Sequence, residues 1–102
     1  SEATSTFAVA IGNNAKATGW GQVAVGNYNN PSVNKALFMV GNGDNTDNRK
    51  NAFTVLWDGR AKVQTAPKDN DDLVRKGDLA SLGGGKIYKH TIKAFHNHET
   101  LK

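Results

Sequence analysis

The chain has 102 residues with 11 Gly, 2 Pro and no Cys, and its 13 Lys and Arg against 9 Asp and Glu give a net charge of +4. The absence of cysteine excludes a disulfide scaffold, a thiolate metal site and a cysteine nucleophile, and no apolar run approaches the roughly 18 residues of a membrane span. Hydrophobic residues make up 37%, many of them alanine, so one domain of this size has little apolar surface to bury, and the composition predicts stability drawn from partner copies.

In chain order, Phe7-Ala8-Val9-Ala10-Ile11-Gly12 is echoed fourteen residues later by Gly21-Gln22-Val23-Ala24-Val25-Gly26, and again by Ala36-Leu37-Phe38-Met39-Val40-Gly41 after fifteen more. Gly19 falls midway between Gly12 and Gly26. Asn51-Ala52-Phe53-Thr54-Val55-Leu56-Trp57-Asp58-Gly59 is a longer relative that follows an insertion. Self-similarity at a fixed period signals a repeat architecture. Alternation of period two within each unit predicts strands, and Gly12, Gly19, Gly26, Gly41 and Gly59 are expected at the corners, where positive φ is needed. Units this short suit parallel rungs that cover one another's open edges.

The two faces of each run differ. Val9 and Ile11 share one face and Ala8 and Ala10 the other, while Val23 and Val25 oppose Ala24. A strand apolar on both sides needs a partner on each. The expected source is the same strand in symmetry-related copies, which alanine allows to approach closely. Val9, Ile11, Val23, Val25, Phe38, Val40, Phe53 and Val55 are accordingly expected to form the core of the repeat and of a trimer.

Residues 8–19, Ala-Val-Ala-Ile-Gly-Asn-Asn-Ala-Lys-Ala-Thr-Gly, resemble the head repeat of trimeric autotransporter adhesins. The resemblance covers about residues 6–43 and implies a left-handed parallel β-roll with three chains around one axis. Residues 51–63 are similar to a run in tail-fibre and baseplate proteins of phages and prophages. Residues 66–79 resemble the connector between shaft segments of such fibres, departing from it at Gly77. Together these resemblances favour a phage-type fibre over a bacterial adhesin.

Asn42 to Lys50 is polar and without periodicity, a projecting loop. It offers Asp44, Thr46, Asp47 and Asn48 as oxygen ligands but lacks the glycine and closing Glu of an EF-hand. Beyond Pro67, Asp69 or Asn70 is placed to cap a helix whose apolar stripe is Leu73, Val74, Leu79 and Leu82. That helix is too short to stand alone, and three copies packed as a neck would support it. Gly83-Gly84-Gly85 then breaks the chain, and residues 86–95 alternate as a strand. The expected fold is mainly β: a left-handed parallel β-roll, or solenoid, forming a homotrimer, then a short helical neck and a C-terminal strand. The expected divisions are 1–65 for the repeats, 66–82 for the connector and 83–102 for a glycine linker and the start of a further β domain.

No catalytic pattern emerges. The serines lack a strained elbow, no glycine-rich loop leads from strand to helix, and the basic residues are dispersed rather than striped, so no nucleic-acid partner is expected. His96-Asn97-His98 could aim two imidazoles at a three-fold axis, but two exposed histidines in a tail is the simpler reading, and no metal or cofactor is expected. Trp20, between two glycines at a corner, and Tyr28 are the candidate glycan contacts. The expected role is non-enzymatic. It is a trimeric fibre or adhesion segment on a phage tail, or at a cell surface, that positions a receptor-binding surface toward a host glycan or protein without inserting into the membrane. The alternatives are a bacterial adhesin head, the non-catalytic stem of a depolymerase, and a monomeric sugar-binding module.

Overall fold

A computed structural model of the chain describes residues 1–80. The chain divides into two compact units, Ser1–Thr65 and Ala66–Lys102. The expected glycine linker, the C-terminal strand, Leu82, and His96 and His98 lie outside the described residues.

The first unit contains seven strands: β1 (Glu2–Ala3), β2 (Val9–Asn13), β3 (Lys16–Ala17), β4 (Val23–Asn27), β5 (Ala36–Asn42), β6 (Asn51–Leu56) and β7 (Ala61–Val63). β1 and β3 form a small parallel sheet, and the others form a five-stranded sheet in the order β2-β4-β5-β6-β7. Within it β2, β4 and β5 run parallel, with Val9 opposite Val23 and Val23 opposite Phe38. β5-β6 and β6-β7 are antiparallel.

The expected left-handed parallel solenoid is therefore not formed, and two features of the chain explain why. Asn42 to Lys50 acts as a reversal rather than a corner. Asn45 bridges Asn48, the Asn42 amide N–H donates to the Lys50 carbonyl at 3.0 Å, and β6 returns alongside β5. The small sheet also stops after two strands, because side-chain amides stand where further rungs would pair. The Asn29 side chain accepts from the Lys16 N–H at 2.7 Å and donates to the Lys16 carbonyl at 2.9 Å. Asn51 does the same for Asn30, at 2.8 and 3.0 Å. Each amide presents one donor and one acceptor and so imitates a strand edge.

The core lies between the two sheets and is made of small residues: Ala15, Ala17, Ala24 and Ala36, with Met39 and Leu56, flanked by Ala8, Ala10 and Val33. The alanine face is thus covered from within the chain, by the β1-β3 layer and the segments flanking it. Little space is left between layers so close, and methyl groups fit it. The β-branched and aromatic residues consequently point the other way.

The expected helical neck is also absent from the described residues, where Ala66 to Ala80 hold a single 3-10 turn, Lys76–Asp78. The Asp72 carboxylate accepts from the backbone N–H groups of Lys68 and Asp69, both at 2.8 Å, and these bonds hold its pKa below the ordinary 3.8. Aspartates that capture nearby backbone donors compete with helix formation, and the segment is shorter than a stable isolated helix. Leu73, Val74 and Leu79 are left exposed.

Arg75 grips Asp78 through Nε at 2.7 Å and Nη2 at 2.8 Å. The Arg75 side chain, followed by its backbone N–H, holds the Asp78 carboxyl below 3.8. A group that binds protons less readily when folded contributes stability above its unfolded pKa and loses it as pH falls through the folded value. Lowering the pH from 5 through 4 and below, a range set by the usual Asp pKa of about 3.9, is therefore expected to loosen this turn. Titration of the Leu79 amide and Arg75 Nε–H signals by NMR should show it, while signals from β4 stay fixed. A turn unchanged at pH 2, well below that same pKa of about 3.9, would contradict the pairing.

Candidate functional site

The outer face of the five-stranded sheet is assembled by register. Residues paired across strands share a face, which sets Val9, Val23, Phe38, Val55 and Ala61 in one row and Ile11, Val25, Val40, Phe53 and Val63 in the next. These rows hold all eight residues expected at the trimer core. None of the eight is in the chain's own core: Val9 and Ile11 are exposed, at 44% and 62%, and the others are half-buried. Phe38 and Phe53 meet edge to face at 6.4 Å between centroids. The face is apolar in every row position and has no layer of this unit upon it.

The predicted corner glycines take three different roles. Gly12, Gly26 and Gly41 sit inside the ends of β2, β4 and β5, in register. There a Cβ on Gly26, whose φ is +99°, would lie 2.6 Å from the Gly41 carbonyl oxygen. Each is followed by an asparagine, and these stack as a ladder in which Asn13 Nδ2 donates to Asn27 Oδ1 at 2.6 Å. Gly19 donates its N–H to the Gln22 side chain at 3.3 Å. Gly59 closes the β6-β7 hairpin at φ +91° with no atom within 4 Å of a Cβ. Beside it Asp58 pairs with Arg60 at 2.7 Å; the Arg60 backbone N–H, followed by its side chain, holds the Asp58 carboxyl below 3.8.

The two candidate glycan contacts are not brought together. Trp20 precedes β4 and Tyr28 follows it, so they lie at opposite ends of one strand. The Arg49 guanidinium lies over the Tyr28 ring, 5.3 Å from its centroid, and donates to the carbonyls of Asn14 and Asn29 at 2.9 and 3.2 Å. Trp20 instead joins Phe7 and Trp57. The indoles stack at 6.0 Å with an interplanar angle of 29°, and Phe7 meets Trp20 edge-on at 5.7 Å. All three are exposed: Phe7 by 76%, Trp20 by 58% and Trp57 by 52%.

Trp57 continues the alternating run 51–59 of the sequence. The hairpin turn after Leu56 carries it beyond the sheet, and its N–H donates to the Lys35 carbonyl at 2.9 Å. Phe7 and Lys35 both have positive φ, at 60° and 64°, a conformation bulky side chains rarely hold. Two open grooves meet at Trp57. One, of about 540 Å³, runs past Trp20, Thr18 and Ser32, and the other, of about 440 Å³, past Asp58 and Arg60; Asn34 and Lys35 line both.

In the projecting loop, Asp44 Oδ1 accepts from Asn48 Nδ2 at 2.6 Å and Asp47 N–H donates to Asn45 Oδ1 at 2.9 Å. The loop's oxygens thus serve its own turn. Among the described residues no group of three or more His, Asp or Glu is placed to hold a metal. Comparison with family models, with curated proteins and with solved structures finds no match to this chain.

Proposed function

We propose that this chain is a non-enzymatic attachment segment that assembles as a homotrimer through the outer face of its five-stranded sheet, as part of a fibre of the phage-tail type. The uncovered apolar face carries the reading. A sheet with one solvated face normally places polar residues there, whereas contiguous exposed apolar patches mark association surfaces. The two rows carry no charge, so copies bearing +4 each can meet there without opposing like charges, in keeping with the charge-poor centres of interfaces.

The shape of the strip favours three copies over two. It is two rows deep, about 7 Å along the strands, and five strands long, about 19 Å. Strips that narrow leave their margins wet when two are stacked face to face. Three around an axis running across the strands cover one another on both margins. The likeness of residues 6–43 to adhesin head repeats, and of 51–63 to tail-fibre sequences, supports the role in attachment.

Light scattering is expected to give three times the 10.9 kDa chain mass. Ile11→Lys should yield a monomer with an unchanged circular dichroism spectrum. A lysine at an exposed position of the free chain changes stability by about 0.5 kcal/mol or less, but an unpaired charge enclosed by sister copies costs several times that. A wild-type monomer at high concentration would overturn the proposal.

A further inference from the structure

No residue of the two apolar rows lines the grooves at Trp57, which combine an aromatic platform, polar rims and one uncompensated charge. The stacked indoles are held in place on both sides. Phe7 abuts Trp20, and the Trp57 backbone is tied to Lys35, so the platform is preformed rather than assembled on contact. Such preorganisation lowers the ordering cost of binding. Exposed aromatic rings with convergent polar groups are the usual makings of a ligand site.

The chemistry of the rim selects the ligand. The C–H face of a pyranose ring is apolar and faintly electropositive, which suits the negative face of an indole. Thr18, Ser32 and Asn34 line the groove with hydroxyl and amide groups able to bond sugar hydroxyls. Arg60 is neutralised by Asp58 at 2.7 Å, whereas Lys35, exposed and lining both grooves, is in no ion pair among the described residues. The local surplus is therefore one positive charge.

We infer that the Trp57 grooves bind an acidic oligosaccharide, a pyranose ring stacking on the exposed indoles and a sugar carboxylate meeting the Lys35 ammonium. This deepens the attachment reading by naming the chemistry of the receptor. It does not require the trimer, so the two fail separately: an assembled protein without sugar binding removes this site alone, and a monomer that binds sugar removes the fibre alone.

The test is a panel of immobilised uronic-acid, sialic-acid and neutral oligosaccharides presented to the whole chain. Acidic members should bind and neutral ones bind at least tenfold more weakly, and the difference should shrink as salt screens the exposed charge. Trp57→Ala should lose tenfold or more on every bound member. Lys35→Asn, chosen because asparagine tolerates the positive φ found there, should reduce acidic binding to the neutral level. Circular dichroism checks that both variants are folded. Absence of binding to any member, equal binding of acidic and neutral members, or acidic binding unchanged in both variants would overturn the inference.

Discussion

Gly26→Ala is expected to remove a large share of the stability of the Ser1–Thr65 unit. Its Cβ would sit 2.6 Å from the Gly41 carbonyl oxygen and 3.1 Å from the Gly41 nitrogen, at a backbone φ of +99°. The obstacle is the neighbouring strand's main chain, which cannot rotate aside as a flexible side chain would. Relief requires separating β4 from β5, with loss of ladder hydrogen bonds and of the bond the Gly43 N–H donates to the Asn27 carbonyl at 2.9 Å. A loss of about 4 kcal/mol belongs to the most damaging class of single substitution, and a unit of this size holds only about 3–10 kcal/mol in total. Urea denaturation followed by circular dichroism should find the midpoint sharply lowered. Gly59→Ala is the control: φ is +91° but no atom lies within 4 Å, so only the conformational strain of about 1–2 kcal/mol is lost. Similar midpoints for the two variants would mean that the glycine stack is not a close contact.

Asn29→Ala should remove about 3 kcal/mol, the sum expected for two stranded backbone groups and a small cavity. Asn29 is fully buried. Its amide satisfies both the N–H and the carbonyl of Lys16, and Nδ2 lies 3.6 Å from Met39 Sδ. Alanine leaves those Lys16 groups facing a space lined by apolar atoms. Asn51→Ala deletes an equivalent amide pair at a half-buried position, where water can replace it, and about 1 kcal/mol is expected. Chemical denaturation gives both values. Hydrogen exchange at the Lys16 amide should speed up in Asn29→Ala well beyond the global change. Equal losses for the two variants would refute the role given to burial.

The strand register was legible because it is written in spacing: fourteen residues from Val9 to Val23 and fifteen from Val23 to Phe38 are the offsets at which β2, β4 and β5 pair. The helix was misjudged because a capping pattern at Asp69 to Asp72 has the same letters as a turn in which Asp72 binds Lys68 and Asp69. Asn51 was legible only as the start of the 51–59 run, and Asn29 stands outside every repeat unit. Nothing local distinguishes an asparagine that ends a sheet from one that faces water. Trp20 was legible as an exposed aromatic between glycines. Its partner Trp57 was not, because the two are thirty-seven residues apart in the chain and meet only after β6 has turned back.

By itself the sequence determined that short strands recur, which residues share a face, and that small and large side chains are sorted between the faces. Period-two alternation carries that information and no more. The tertiary structure alone decided which face turned inward, that the repeat reverses into an antiparallel sheet after β5, and that three distant aromatic residues form one platform. Each of these depends on what packs against a strand from elsewhere in the chain: a thin layer above the alanines admits only methyl groups and turns the valines and phenylalanines out.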